Sequence, residues 1–137
     1  MDELDSSMTS AQVFHEVLPT ACPPTQVVEP TVEVLWRLAC SNSVSDQNFI
    51  SELKKCPDRF FRVPCDGASV SLVPTFEQAA ALAKTPFMRK KNFTHAIAVK
   101  YVKAAGVWHL DKPTHCHFWP YFGFDFTSVA GEVRELP

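Results

Sequence analysis

From Thr31 the chain runs Val32-Glu33-Val34-Leu35-Trp36-Arg37-Leu38-Ala39, where β-branched and aromatic residues dominate and alternation is imperfect. This is the texture of a largely buried strand. Apolar positions at helical spacing follow, with Phe49, Ile50 and Leu53 on one face of a helix predicted over Asp46 to Lys55. Ser43 or Ser45 caps it, Asp46 and Lys54-Lys55 suit its dipole, and Cys56-Pro57 ends it. Arg59 to Val63 reads as a second short strand or an extended loop. Asp66-Gly67 is a turn signal before a strand over Ser69 to Val73. Thr75 and Gln78 form a capping box that opens an alanine-rich helix to about Lys84, where Pro86 forbids continuation. Thr94 to Val102 alternates as a central strand. Lys103 to Gly106 reads as a hairpin-like turn into a paired strand over Val107 to Leu110, and Glu132 to Leu136 as a final strand. These elements predict an α+β fold, compact, with a mostly antiparallel sheet and two or three short helices.

Residues 1–30 differ in texture. A polar start is followed by Pro19, Pro23, Pro24 and Pro30, which predicts a proline-rich extended leader ahead of a single domain over 31–137. Val13, Phe14, Val17 and Leu18 sit at helical spacing, enough for one or two turns over Ala11 to Leu18 that pack on the domain or dock a partner.

Thirteen basic and 15 acidic residues give a net charge of −2, which supplies no broad attraction for nucleic acid or anionic membrane. Arg89-Lys90-Lys91 is the one basic run and reads as a solvated loop. No apolar stretch approaches the roughly 20 residues that span a bilayer, and the start of the chain is not organised as a signal peptide, so a soluble, cytoplasmic protein is expected. The five cysteines are odd in number and irregularly spaced, a pattern that favours reduced thiols.

His115-Cys116-His117, with His95 and His109, is the metal candidate. On a strand only His115 and His117 share a side, and no familiar ligand spacing completes the set, so no metal is expected. Cys116, Cys65 or Cys40 beside a histidine would suit a cysteine hydrolase, but buried apolar cysteines fit the sequence better. The block from Phe118 to Phe126 is too aromatic to lie wholly in so small a core. It predicts a pocket wall, an oligomer interface or a stacking surface, or else a C-terminal lid closing the core.

Leu35-Trp36-Arg37-Leu38, Ser41-Asn42, Asp46-x-x-Phe49-x-Ser51, Gly67-x-Ser69-Val70 and His115-x-His117-Phe118-Trp119-Pro120 together resemble a set of small uncharacterised bacterial proteins over roughly Glu33 to Tyr121. More distantly, strand-borne Arg37, the Ser69-x-Ser71 strand and the helix from Thr75 are similar in order to the ADP-ribosyltransferase fold. That fold includes rifampin-modifying transferases, tRNA 2′-phosphotransferases and NAD-consuming RES-domain toxins. The resemblance implies NAD as cofactor, with Arg37 on its pyrophosphate, Ser69 and Ser71 shaping the nicotinamide pocket, and Thr75, His117, Trp119 and Tyr121 as further binding residues. The family's third signature is a glutamate, for which only Glu132 and Glu135 lie late enough, and neither sits in a recognisable motif; Glu132 is taken as the candidate. The alternative is a non-enzymatic bacterial or phage interaction protein, of immunity, antitoxin-like or regulatory type, which docks a protein partner through its aromatic C-terminal surface.

Overall fold

The computed structural model describes residues 13–137. Strands β1 (Val34–Ala39), β3 (His95–Lys100) and β6 (Ala130–Glu135) form one antiparallel sheet with β3 in the middle. Strands β2 (Val70–Leu72), β5 (His115–Pro120) and β4 (Gly106–Lys112) form a second, with β5 in the middle. A bridge between Trp36 and Val73, with backbone bonds of 2.7 and 3.0 Å, ties β1 to the end of β2. Four short helices complete the α+β fold among the described residues: α1 (Glu52–Lys55), α2 (Pro64–Gly67), α3 (Phe76–Ala83) and α4 (Pro86–Arg89).

Alternation along β3 explains the layering. Ile97 and Val99 join Leu35 and Ala39 of β1 against Val70, Leu72, Trp108, Cys116 and Phe118 of the second sheet, forming the main core. Ala96 and Ala98 point the other way, where their small size lets Ala79 of α3 approach along with Trp36 and Val73. The order of layers is therefore α3, first sheet, second sheet. The outer face of the second sheet carries His115 and His117 and, beside them, the buried Trp119.

Several elements differ from the sequence expectation. The helix predicted over Asp46 to Lys55 is a 3-10 turn at Asp46–Phe49, capped by Ser45, and then α1, capped by Ser51. Ile50 is extended between them, and the Glu16 carboxylate takes both the Ser51 N–H at 2.9 Å and its hydroxyl at 2.6 Å. Of the two forms open to Arg59 to Val63, the structure has the loop and not the strand. Nor do β3 and β4 form a hairpin: β1 and β6 occupy both edges of β3, and the 3-10 turn Lys103–Ala105 carries the chain across to the other sheet. Gly106 begins β4 because a Cβ there would lie 2.3 Å from the Trp119 carbonyl oxygen. The Thr75–Gln78 capping box forms as expected, and Pro86 opens α4 after ending the preceding run.

Of the helix expected over Ala11 to Leu18, the first two positions lie outside the described residues, and 13–18 contain no helix. Instead Phe14 bridges to Tyr121, the His15 N–H donates to the Pro120 carbonyl at 2.9 Å and the Phe122 N–H to that of Val13 at 2.8 Å. Pairing with an open strand end outweighs weak helical spacing in so short a segment. Further along, Cys22 is disulfide-bonded to Cys65, which corrects the expectation of five reduced thiols. Cys40 and Cys56 are free and exposed, and Cys116 is free and buried.

The disulfide closes a loop of sequence separation 43 and fastens the leader to α2. Cys22→Ser is expected to cost about 2–4 kcal/mol of unfolding free energy. Urea unfolding with and without reductant measures this, and identical midpoints would show that the bridge contributes nothing.

Candidate functional site

The pairing of β2 with β5 sets Ser71 opposite His117 and Leu72 opposite Cys116. Because strand side chains alternate, Cys116 and Phe118 enter the core, while His115 and His117 stand on the outer face with ring centroids 4.4 Å apart. Burial pushes the Cys116 thiol up to about 12, so it is an inert core residue rather than a nucleophile. Cys65, held in the disulfide, is also excluded from that role.

Across from β5, Leu110 pairs with Cys116 and Lys112 with His115, which leaves Asp111 as the extra residue of a bulge. Asp111 Oδ2 lies 2.8 Å from His117 Nε2, and Asp66 Oδ1 lies 3.7 Å from the same nitrogen. Ser69 Oγ is 2.8 Å from His117 Nδ1 and 2.8 Å from the Asp66 carbonyl oxygen. Ser71 Oγ hydrogen-bonds His115 Nε2. His117 and Ser69 are only 3% and 5% exposed, so the chain Ser69–His117–Asp111 opens to solvent at its carboxylate end. Burial, and then His117, hold His115 below its ordinary pKa against the pull of Asp111 and Asp66. Burial would raise Asp111, but its position beside His117, with help from His115 and Lys112, outweighs it and lowers the carboxyl.

Arg37 leaves β1 on the side of β2 and is clamped by backbone carbonyls: Nε donates to Asn48 at 2.8 Å, Nη1 to Ser71 at 3.1 Å and Nη2 to Ile50 at 3.4 Å. Burial draws its pKa down to about 10, opposed by Glu52 and Glu16, so it stays charged at neutral pH. A guanidinium carries five N–H donors, so two remain for a ligand. Two cavities meet at this residue and share Ser71 and Glu52. The larger, about 480 Å³, has apolar walls from Leu38, Leu82 and Phe87, and Lys55, Arg59 and Lys91 around its rim. The smaller, about 320 Å³, is floored by Ser69, His115 and His117.

Glu52 joins the cations of the larger cavity, 3.1 Å from Arg59, 3.4 Å from Lys91 and 3.9 Å from Lys55. Burial would raise its carboxyl, but Lys91 first, then Lys55 and Arg59, hold it below 4.5. A carboxyl whose folded pKa is depressed stabilises the fold above its unfolded value and loses that contribution as pH falls through the folded one. Glu52→Gln is therefore expected to cost about 1 kcal/mol at neutral pH, with the difference from the parent vanishing as pH drops below 4.5. Urea midpoints taken across this range test it, and a difference independent of pH would rule out the pairing.

Of the residues the sequence nominated, Arg37, Ser69, Ser71 and His117 converge on the smaller cavity. The others do not. Glu132 lies on β6 in a separate hollow with Trp36 and Ala98, bound to Arg134 at 3.1 Å. Thr75 spends its hydroxyl on capping Gln78. Trp119 is fully buried, donates Nε1–H to the Cys65 carbonyl at 3.0 Å and lies flat against His117, so no ligand reaches its face. Tyr121 packs on Phe14 with centroids 5.4 Å apart and lines neither cavity. The aromatic block is thus divided: Phe118 lies in the core with Phe124 and Phe126 packed against it, Trp119 is buried beside His117, and Tyr121 and Phe122 are exposed.

Asp66, Asp111, Glu52, Lys55, Arg59 and Lys91 were not singled out from sequence as site residues. Asp66 read as a turn residue, Lys55 as a helix-end charge and Lys91 as part of a solvated run. Comparison of the chain with family models, curated proteins and solved structures finds no match in any of the three.

Proposed function

We propose that this domain binds NAD and transfers or cleaves off its ADP-ribosyl group. The observation that carries the reading is the position of Arg37 at the meeting point of two cavities, with two N–H groups to spare. A dinucleotide has the matching form, two bulky halves joined by a doubly charged pyrophosphate, and a guanidinium fork suits paired phosphate oxygens better than an ammonium does. The adenosine half would occupy the larger cavity, where Phe87 and Leu82 offer apolar surface. The nicotinamide half then faces Ser71 and His115. Cleavage breaks the ribose–nicotinamide bond, water or an acceptor hydroxyl adds to the ribose carbon, and a proton is released.

Purified protein incubated with NAD should release nicotinamide, and NAD should raise its melting temperature, since a ligand of the native state alone stabilises it. Unchanged NAD together with an unchanged melting temperature overturns the proposal. Docking of a protein partner through the C-terminal aromatics has less support, because Trp119 and Phe118 are buried and only Tyr121 and Phe122 of those aromatics are exposed. No helix among the described residues is long and apolar enough to cross a membrane. Action in the cytoplasm, the remaining part of the proposal, requires the fold to tolerate opening of the Cys22–Cys65 bridge, since reducing compartments rarely keep disulfides.

A further inference from the structure

The outer face of the second sheet carries more than polar lining for the smaller cavity. Donor atoms of Asp111, His115 and His117 all lie within 4.8 Å of one another, two imidazoles and a carboxylate presented from adjacent strands. The backbone makes this arrangement twice over. Alternation on β5 puts both histidines on one side, and the bulge at Asp111 adds the carboxylate from β4.

A count of protons sharpens the point. Ser69 has one hydroxyl hydrogen, and its Oγ sits 2.8 Å from two partners, the Asp66 carbonyl oxygen and His117 Nδ1. A carbonyl can only accept, so the hydrogen goes there and Oγ accepts from Nδ1–H. In a neutral ring Nε2 is then bare, with its lone pair facing Asp111 Oδ2 at 2.8 Å and Asp66 Oδ1 at 3.7 Å. Two carboxylate oxygens around a lone pair call for a cation between them. A second proton on the ring would serve, and so would a metal ion. A metal also gives a role to the oxygen partner on Nδ1–H, the arrangement that orients metal-bound imidazoles.

We infer that Asp111, His115 and His117 form a site for one divalent first-row ion of the zinc type, with Ser69 as the residue that fixes the His117 ring. Two imidazoles and one carboxylate are a donor set that zinc accepts with a further position open. That position faces the cavity containing Ser71 and Arg37. The inference does not depend on the nucleotide reading, and its test contains no NAD.

The test uses the full chain carrying Cys40→Ser and Cys56→Ser, which removes the exposed thiols that would bind zinc by themselves. After dialysis against chelator it is titrated with zinc by calorimetry and with cobalt by absorption. One ion per chain is expected, with the cobalt spectrum of a low-symmetry site having nitrogen and oxygen ligands. Asp111→Asn and His115→Gln, both on the open side of the cluster, should abolish stoichiometric binding while the chain stays folded by circular dichroism. Ser69→Ala should weaken binding about 10- to 100-fold and alter the cobalt spectrum, which a merely structural serine would not do. His95→Gln, on the other sheet, should change nothing. Absence of binding, or binding that survives both Asp111→Asn and His115→Gln, overturns the site.

Discussion

Arg37→Lys is expected to weaken NAD binding by about 100-fold, because one ammonium cannot reproduce two parallel N–H bonds to a pyrophosphate. The same change should lower stability by about 2–4 kcal/mol, since the carbonyls of Asn48, Ile50 and Ser71 all lose their guanidinium donor. Those three carbonyls belong to the segment before α1 and to β2, so Arg37 also braces the walls of both cavities. Affinity from calorimetry and midpoints from urea unfolding separate its two roles. Lost stability with unchanged NAD affinity would reduce Arg37 to a brace and withdraw the nucleotide proposal.

Trp108→Ala is expected to cost about 3–5 kcal/mol, in the range for removal of a large buried aromatic. Trp108 is 2% exposed and sits between the two sheets, stacked on Phe118 at a centroid distance of 3.9 Å and edge-on to Tyr101 at 5.1 Å. Its Nε1–H donates to the Val102 carbonyl at 3.0 Å, so truncation also orphans an acceptor in the crossing between sheets. The denaturant midpoint should fall while the slope of the transition is retained. A loss under about 1 kcal/mol would mean that the sheets do not depend on this contact, against the usual cost of such cavities.

Local signals in this sequence were reliable where one short segment carried the whole argument. Thr75 and Gln78 cap α3 whatever surrounds it, because both bonds of the box lie within four residues. The alternation of Ala96, Ile97, Ala98 and Val99 marks a strand buried on both faces, and β3 is that strand. The signals failed where a distant group competed. Phe49, Ile50 and Leu53 have the spacing of one helix, yet Glu16 captures both polar groups of Ser51 and a new helix starts there. Phe14 has helical company in sequence but finds Tyr121 and an open strand end in space.

The candidate site divides in the same way. Arg37, His115 and His117 stand out by residue type and strand position, since an arginine among apolar neighbours and two histidines on one strand face are visible in a linear chain, whereas Ser69 and Ser71 are named only through the resemblance. Which carboxylates meet them was settled by long-range geometry: a one-residue bulge selects Asp111, a disulfide fastens the turn bearing Asp66, and Glu132 is carried off to β6. Fold class, caps and the core face of each strand follow from side-chain periodicity and hydrogen-bonding capacity, both properties of neighbouring residues. The convergence of charges on Arg37 and of oxygen and nitrogen donors on His117 required register, bulge and crossover together, because those features depend on which strand edges remain free once the two sheets have packed.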